Sequence, residues 1–228
     1  MKINADFTQP VLVDAQQLDW IASPAAGVDR RMLFRIGDEV ARATSIVRYA
    51  PGSQFPRHVH GGGEEILVLE GTFQDEHGDY PAGSYFRNPP GTSHVPAAKD
   101  GCTIFVRLWQ FRKDDQMQIV RQPSEGDALE TRNGALSARL LFRNEAEEVR
   151  IEEWQGNATV SVPNARGIEF IVLTGSVRIG GIHLGSQGWG RLPAGMPLEA
   201  HVGAETVTLW IKDAELMPLD VLEMTPRT

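Results

Sequence analysis

The chain repeats itself once, and the length of that repeat limits the folds open to it. "LFRIGDEVAR" from Leu33 is echoed by "LFRNEAEEVR" from Leu141, "EILVLEGTF" from Glu65 by "EFIVLTGSV" from Glu169, and "YFRNPPG" from Tyr85 by "WGRLPAG" ending at Gly195. Three echoes in one order mark a duplicated unit of about 100 residues, too long for a solenoid repeat and right for a whole domain. Within each copy, short runs rich in Ile, Val, Phe, Tyr, Thr and Trp are closed by Gly, Pro or Asp clusters, the pattern of strands and tight turns. The 23 glycines and 14 prolines among 228 residues supply those turns. The expected class is all-β, two tandem jelly rolls whose paired sheets limit exposed edges. The boundaries fall at residues 1–121 for the first domain, 122–133 ("QPSEGDALETRN") for a polar linker and 134–228 for the second. Ahead of the strands, "DAQQLDWI" from Asp14 to Ile21 reads as a short helix or helical turn capped by Asp14.

Charge and cysteine content exclude several function classes. A formal charge of -8 leaves no basic stripe for phosphates, so nucleic acid and anionic membranes are not expected partners, whereas a small molecule is. The lone Cys102 cannot form an internal disulfide, and the start "MKINADFTQPVLVD" has neither a basic nor an apolar leader region, which fits a cytoplasmic chain. Aliphatic runs such as Ile66 to Leu69 are far shorter than the ~20 residues of a membrane helix.

The chemistry concentrates in "HVHGGGEE". His58 and His60, one residue apart, project from one face of a strand, and the three glycines free the backbone to turn Glu64 back beside them. His94, after "NPPGTS", sits where a turn hands over to a strand and offers a fourth donor. Three imidazoles and one carboxylate suit zinc, Fe(II), Mn or Ni rather than Ca or Mg. Because imidazole must be neutral to ligate, affinity is expected to fall below about pH 6.5. Glu65 points to the opposite face and reads as structural, His77 in "QDEHGD" as an exposed hairpin tip, and Cys102 as a small buried hydrophobe.

These residues resemble the cupin family. Gly52, His58-x-His60, Glu64 and Gly71 occupy the fixed positions of its first motif, and Gly83, Pro89-x-Gly91 and His94 those of its second. Ala98 stands where the second motif ends in asparagine, a departure that bears on turn geometry. The intervening wording is similar to the cupin domain of the anti-sigma factor ChrR, strongly over residues 15–112. The resemblance implies a bicupin of double-stranded β-helix domains, with His58, His60, Glu64 and His94 as ligands of one divalent metal.

The second copy has lost that set. Alignment places Val162, Asn164, Ile168 and Leu198 at the four ligand positions, and His183 and His201 fall elsewhere, so the C-terminal half is expected to be a scaffold without metal. Four protein ligands fill a tetrahedral zinc site but leave two positions on octahedral Fe(II). The preferred expectation is therefore a zinc-binding, sensor-like or small-ligand module, monomeric or homodimeric. The alternative is an Fe(II) dioxygenase acting on a small diketone or hydroxyketone. No cofactor other than the metal is expected and no catalytic residue is assigned. The absence of any Cys-x-x-Cys speaks against direct sigma-factor binding.

Overall fold

The structure, a computed structural model, describes residues 1–38 and 40–216. Apart from one 3-10 turn at Ala15–Gln17, its regular elements are all strands. Among the described residues no helix is long and apolar enough to cross a membrane. The chain divides into two compact units, each of them built of strands.

The first unit comprises residues 1–5 and 18–125. Its principal strands are β1 (Val28–Gly37), β2 (Ala41–Tyr49), β3 (His58–Val59), β4 (Glu64–Asp75), β5 (Gly78–Pro81), β6 (Tyr85–Asn88), β7 (Ser93–His94) and β8 (Cys102–Leu108). The main sheet runs β1-β2-β8-β4-β6, while β3 pairs with β7 separately. Strand alternation turns Val28, Ile66, Val68, Ile104 and Val106 into one buried cluster with Phe73, Tyr80 and Phe86. Cys102 belongs to that cluster, and burial pushes its thiol up to about 12, so it packs as a hydrophobe.

The second unit comprises residues 6–17 and 126–216. Its strands β9 (Ala135–Arg143), β10 (Glu147–Trp154), β11 (Thr159–Val162), β12 (Gly167–Thr174), β13 (Gly188–Pro193), β14 (Leu198–Val202) and β15 (Val207–Ala214) form a sheet ordered β9-β10-β15-β12-β13, with β11 paired to β14. That order repeats the first unit strand for strand. Even the bulge recurs, between Met32 and Phe34 in β1 and between Leu140 and Phe142 in β9.

Two details depart from the linear reading. Residues Val11–Asp14 form an edge strand on β13, with Val11 opposite Arg191 and Asp14 opposite Gly188, so this N-terminal stretch completes the second sheet and only Ala15–Gln17 is helical. In the stretch read as linker, Asp127–Ala128 pairs with β9. In both places unpaired strand edges are covered by residues distant in sequence or too polar to read as strands.

Candidate metal centre

The four candidate donors come from three strands and one turn, and the fold brings them together. His58 on β3 lies opposite His94 on β7, His60 follows β3 by one residue, and Glu64 opens β4. One donor atom from each lies within 4.8 Å of all the others. His60, Glu64 and His94 are buried and His58 is partly so.

Each imidazole is held through Nδ1. That of His58 donates to the Pro56 carbonyl at 3.1 Å. Thr92 Oγ1 donates to the Pro89 carbonyl at 2.7 Å, so its oxygen is left to accept from His60 Nδ1 at 2.8 Å. His94 Nδ1 donates to Asp75 Oδ2 at 3.2 Å. When each ring is neutral with its hydrogen on Nδ1, Nε2 presents a lone pair inward, the tautomer that metal ligation requires.

The inward atoms pass a direct test of fit. Nε2 of His60 and Nε2 of His94 each lie 3.2 Å from Glu64 Oε2, yet both are buried and the alignment makes neither contact a hydrogen bond. Buried polar atoms without partners are costly, and several converging on one point are satisfied by a cation. Asn88 Nδ2 donates to the same Glu64 oxygen at 3.2 Å and fixes the carboxylate.

Charge without a metal is shared across this cluster. Burial opposes ionisation of Glu64, but the His60 and His94 rings outweigh it and hold its carboxyl well below the usual range. Burial likewise opposes charge on His94, yet Asp75 and Glu64 together push it up to about 9. His58 moves the other way, its imidazole lowered mainly by burial. The pH below which protons compete with a metal is therefore set by His94 near 9 rather than by an ordinary histidine near 6.5.

The triple glycine does a different job from the one its composition suggests. Only Gly63 has a positive φ, +80°. Gly61 and Gly62 are needed for space, because a Cβ on them would sit 2.6 and 2.3 Å from the Trp109 ring, and one on Gly63 2.3 Å from Phe111. Trp109 itself holds φ 58°, an uncommon conformation for a bulky side chain and a local strain.

His58, His60 and Glu64 form one wall of a cavity of about 560 Å³ within the first unit. Val47, Ile104, Val106 and Leu108 make its floor apolar, and Tyr49, Phe55 and Trp109 add aromatic surface. Burial pushes the Tyr49 phenol up, so it stays protonated. Glu65 faces away, bonded to Arg107 and to Tyr85 Oη, which makes it structural. His77 lies in the turn between β4 and β5, exposed and outside the cluster.

In the second unit Val162 faces Leu198 across β11 and β14 as His58 faces His94. The backbone repeats as well: Gly195 donates to the Asn164 carbonyl as Gly91 does to that of His60. Val162, Ile168 and Leu198 are all fully buried in one apolar cluster. Asn164 spends its amide on the Pro193 and Met196 carbonyls at 2.9 and 2.8 Å and accepts from the Gly167 amide at 2.7 Å. Hydrocarbon fills the volume that donors occupy in the first unit.

The family model described as the ChrR cupin-like domain matches residues 8–112. Residues 8–112 are thus similar to the ChrR cupin-like domain. A search of curated proteins finds no sequence match. Among solved structures, a candidate dioxygenase from Nostoc punctiforme is similar with a TM-score of 0.72 at 15% identity, covering 96% of this chain and 88% of that one. The pirin YhhW of Escherichia coli, solved with nickel(II), gives 0.67 at 14% identity over 90% of this chain and 99% of its own. Oxalate decarboxylase of Bacillus subtilis gives 0.60 at 12% identity over 90% and 77%. At these identities the likeness is one of fold.

The sequence alone did not reveal Thr92, Asp75 or Trp109. Thr92 lies within the "PPGTSH" turn and Asp75 beside the hairpin tip, so both were adjacent to recognised motifs, but nothing local says that they touch imidazoles.

Proposed function

We propose that the protein is a metal-dependent small-molecule-binding bicupin, in which His58, His60, Glu64 and His94 hold one divalent transition metal, with zinc as the resident ion. The observation that carries this reading is the convergence of buried, unpartnered His60 Nε2 and His94 Nε2 on Glu64, with His60 and Glu64 lining an apolar cavity. A metal bound there supplies Lewis acidity and, if redox-active, electrons. The chain's own residues supply orientation through Pro56, Thr92, Asp75 and Asn88, and the cavity's hydrocarbon excludes water from around a bound organic molecule. A closed purely structural zinc site has no use for such a cavity, so ligand binding, as in a sensor, fits better.

The cavity also supports a second reading, an Fe(II) dioxygenase for a diketone or hydroxyketone, and the fold neighbour described as a candidate dioxygenase agrees with it. Elemental analysis of protein purified without added metal should find close to one zinc per chain. The Fe(II)-reconstituted form should show no oxygen uptake with diketones or hydroxyketones. Substrate-dependent uptake by the Fe(II) form alone would replace the binding function by the enzymatic one. Protein that holds no transition metal after purification or reconstitution would overturn both.

A further inference from the structure

The cavity carries a charge pattern that four metal donors do not explain. Residues 28, 30 and 32 alternate along β1, and the bulge after Met32 resets the alternation, so that both Arg30 and Arg35 line the cavity. Glu64 is the one acidic residue among the cavity's lining side chains. Arg35 is already engaged, donating to the Asp38 carbonyl. Arg30 has no hydrogen bond or ion pair among the described residues, and its Nε is buried without a partner. Its neighbour across the ladder is Val47.

The second unit shows how this fold treats an inward arginine when no ligand is to be bound. Ala138 there stands opposite Glu152, in the register that sets Arg30 opposite Val47. Arg132 and Arg150 both pair with Glu152, at 2.8 and 2.6 Å, and Trp154 Nε1 donates to it as well. In the first unit Val47 stands where Glu152 does and Arg30 where Ala138 does, so a guanidinium is present there without the facing acid. No acid faces Arg30 across the ladder, a bound anion would supply its counter-charge, and the planar fork of the guanidinium matches a carboxylate.

We propose that the cavity recognises an organic monocarboxylate, with Arg30 binding the carboxylate and the hydrocarbon of Val47, Ile104 and Val106 packing its body. This names the ligand class for the binding function above. It rests on that reading only for the ligand's other end, which would face the four donors.

The test is calorimetric titration of metal-loaded protein with butanoate, octanoate and 4-oxo-4-phenylbutanoate, each beside its primary amide. At least one acid should bind about tenfold or more tightly than its amide, the scale of one charge-assisted hydrogen bond. Arg30→Met should abolish that preference while metal content stays unchanged, and Arg30→Lys should restore part of it. Equal binding of acids and amides by the wild type, no binding of any acid at millimolar concentration, or a preference that survives in Arg30→Met would each overturn the proposal. Repeating the titration on His60→Ala separates the two readings. An Arg30-dependent preference retained without metal leaves the anion site standing even if the metal reading fails.

Discussion

The two units share strand order, bulge position and turn hydrogen bonds, yet one surrounds a largely apolar cavity with polar donors in its wall and the other a packed core. What differs is a handful of side chains. Val162, Ile168 and Leu198 bury hydrocarbon at the places where His58, Glu64 and His94 bring potential metal donors together. The second unit thus converts a site into stability, because each buried aliphatic side chain contributes about 1.5–3 kcal/mol that a desolvated histidine or glutamate does not. The comparison teaches that the double-stranded β-helix tolerates either filling, so function in this chain is a property of the filling.

The largest expected effects come from the same β3/β7-type position in each unit. His94→Ala should reduce metal from one per chain to background. Leu198→Ala should leave metal content at one and cost about 2–5 kcal/mol, read as a lowered midpoint in urea unfolding. A variant at Leu198 that sheds the metal would show that the second unit is not a passive scaffold. A His94 variant that keeps one metal per chain would break the assignment of the site to the first.

A smaller effect tests the side chains behind the ligands. Thr92→Val removes the oxygen that accepts from His60 Nδ1 while keeping the shape of the side chain, and it should weaken metal affinity about 10–100-fold by competition with a chelator. The residue at the corresponding place in the second unit is Met196, whose amide bonds the Pro193 carbonyl as that of Thr92 bonds Pro89. An unchanged affinity in Thr92→Val would mean that packing, not the hydroxyl, orients His60.

Thr92 also marks the limit of what the sequence discloses. The spacing of His58, His60, Glu64 and His94 is local enough to be read directly, and so is the loss of that set from the second copy. The roles of Thr92, Asp75 and Arg30 depend on which strands lie side by side and on a bulge that resets facing, and neither is written in any short window. The triple glycine shows the same boundary: its presence was legible, but Gly61 and Gly62 answer to a tryptophan almost fifty positions away. Likewise Val11–Asp14 lacks any mark of the distant edge, on β13, that it covers.

The last predicted effect is a pH slope that belongs to the first unit alone. In the metal-free protein His94 is raised to about 9 against an unfolded value near 6.5. A raised folded value means that its contribution is fully present below about pH 6.5 and is lost as pH climbs through 9. The contribution is at most about 3 kcal/mol, and because the same contacts depress Glu64 it is counted once for the coupled group. Metal-free protein should therefore lose stability between pH 7 and 9.5, whereas metal-loaded protein, in which His94 is a neutral ligand, should not. Metal uptake at pH 7.5 should release close to one proton, falling toward none above pH 9, measurable by titration in buffers of different ionisation enthalpy. In the second unit Leu198 occupies that position and cannot titrate, so His94→Ala should flatten the slope of the whole metal-free chain. A slope that persists in that variant would place the titrating group elsewhere and remove His94 from the centre of the charge network.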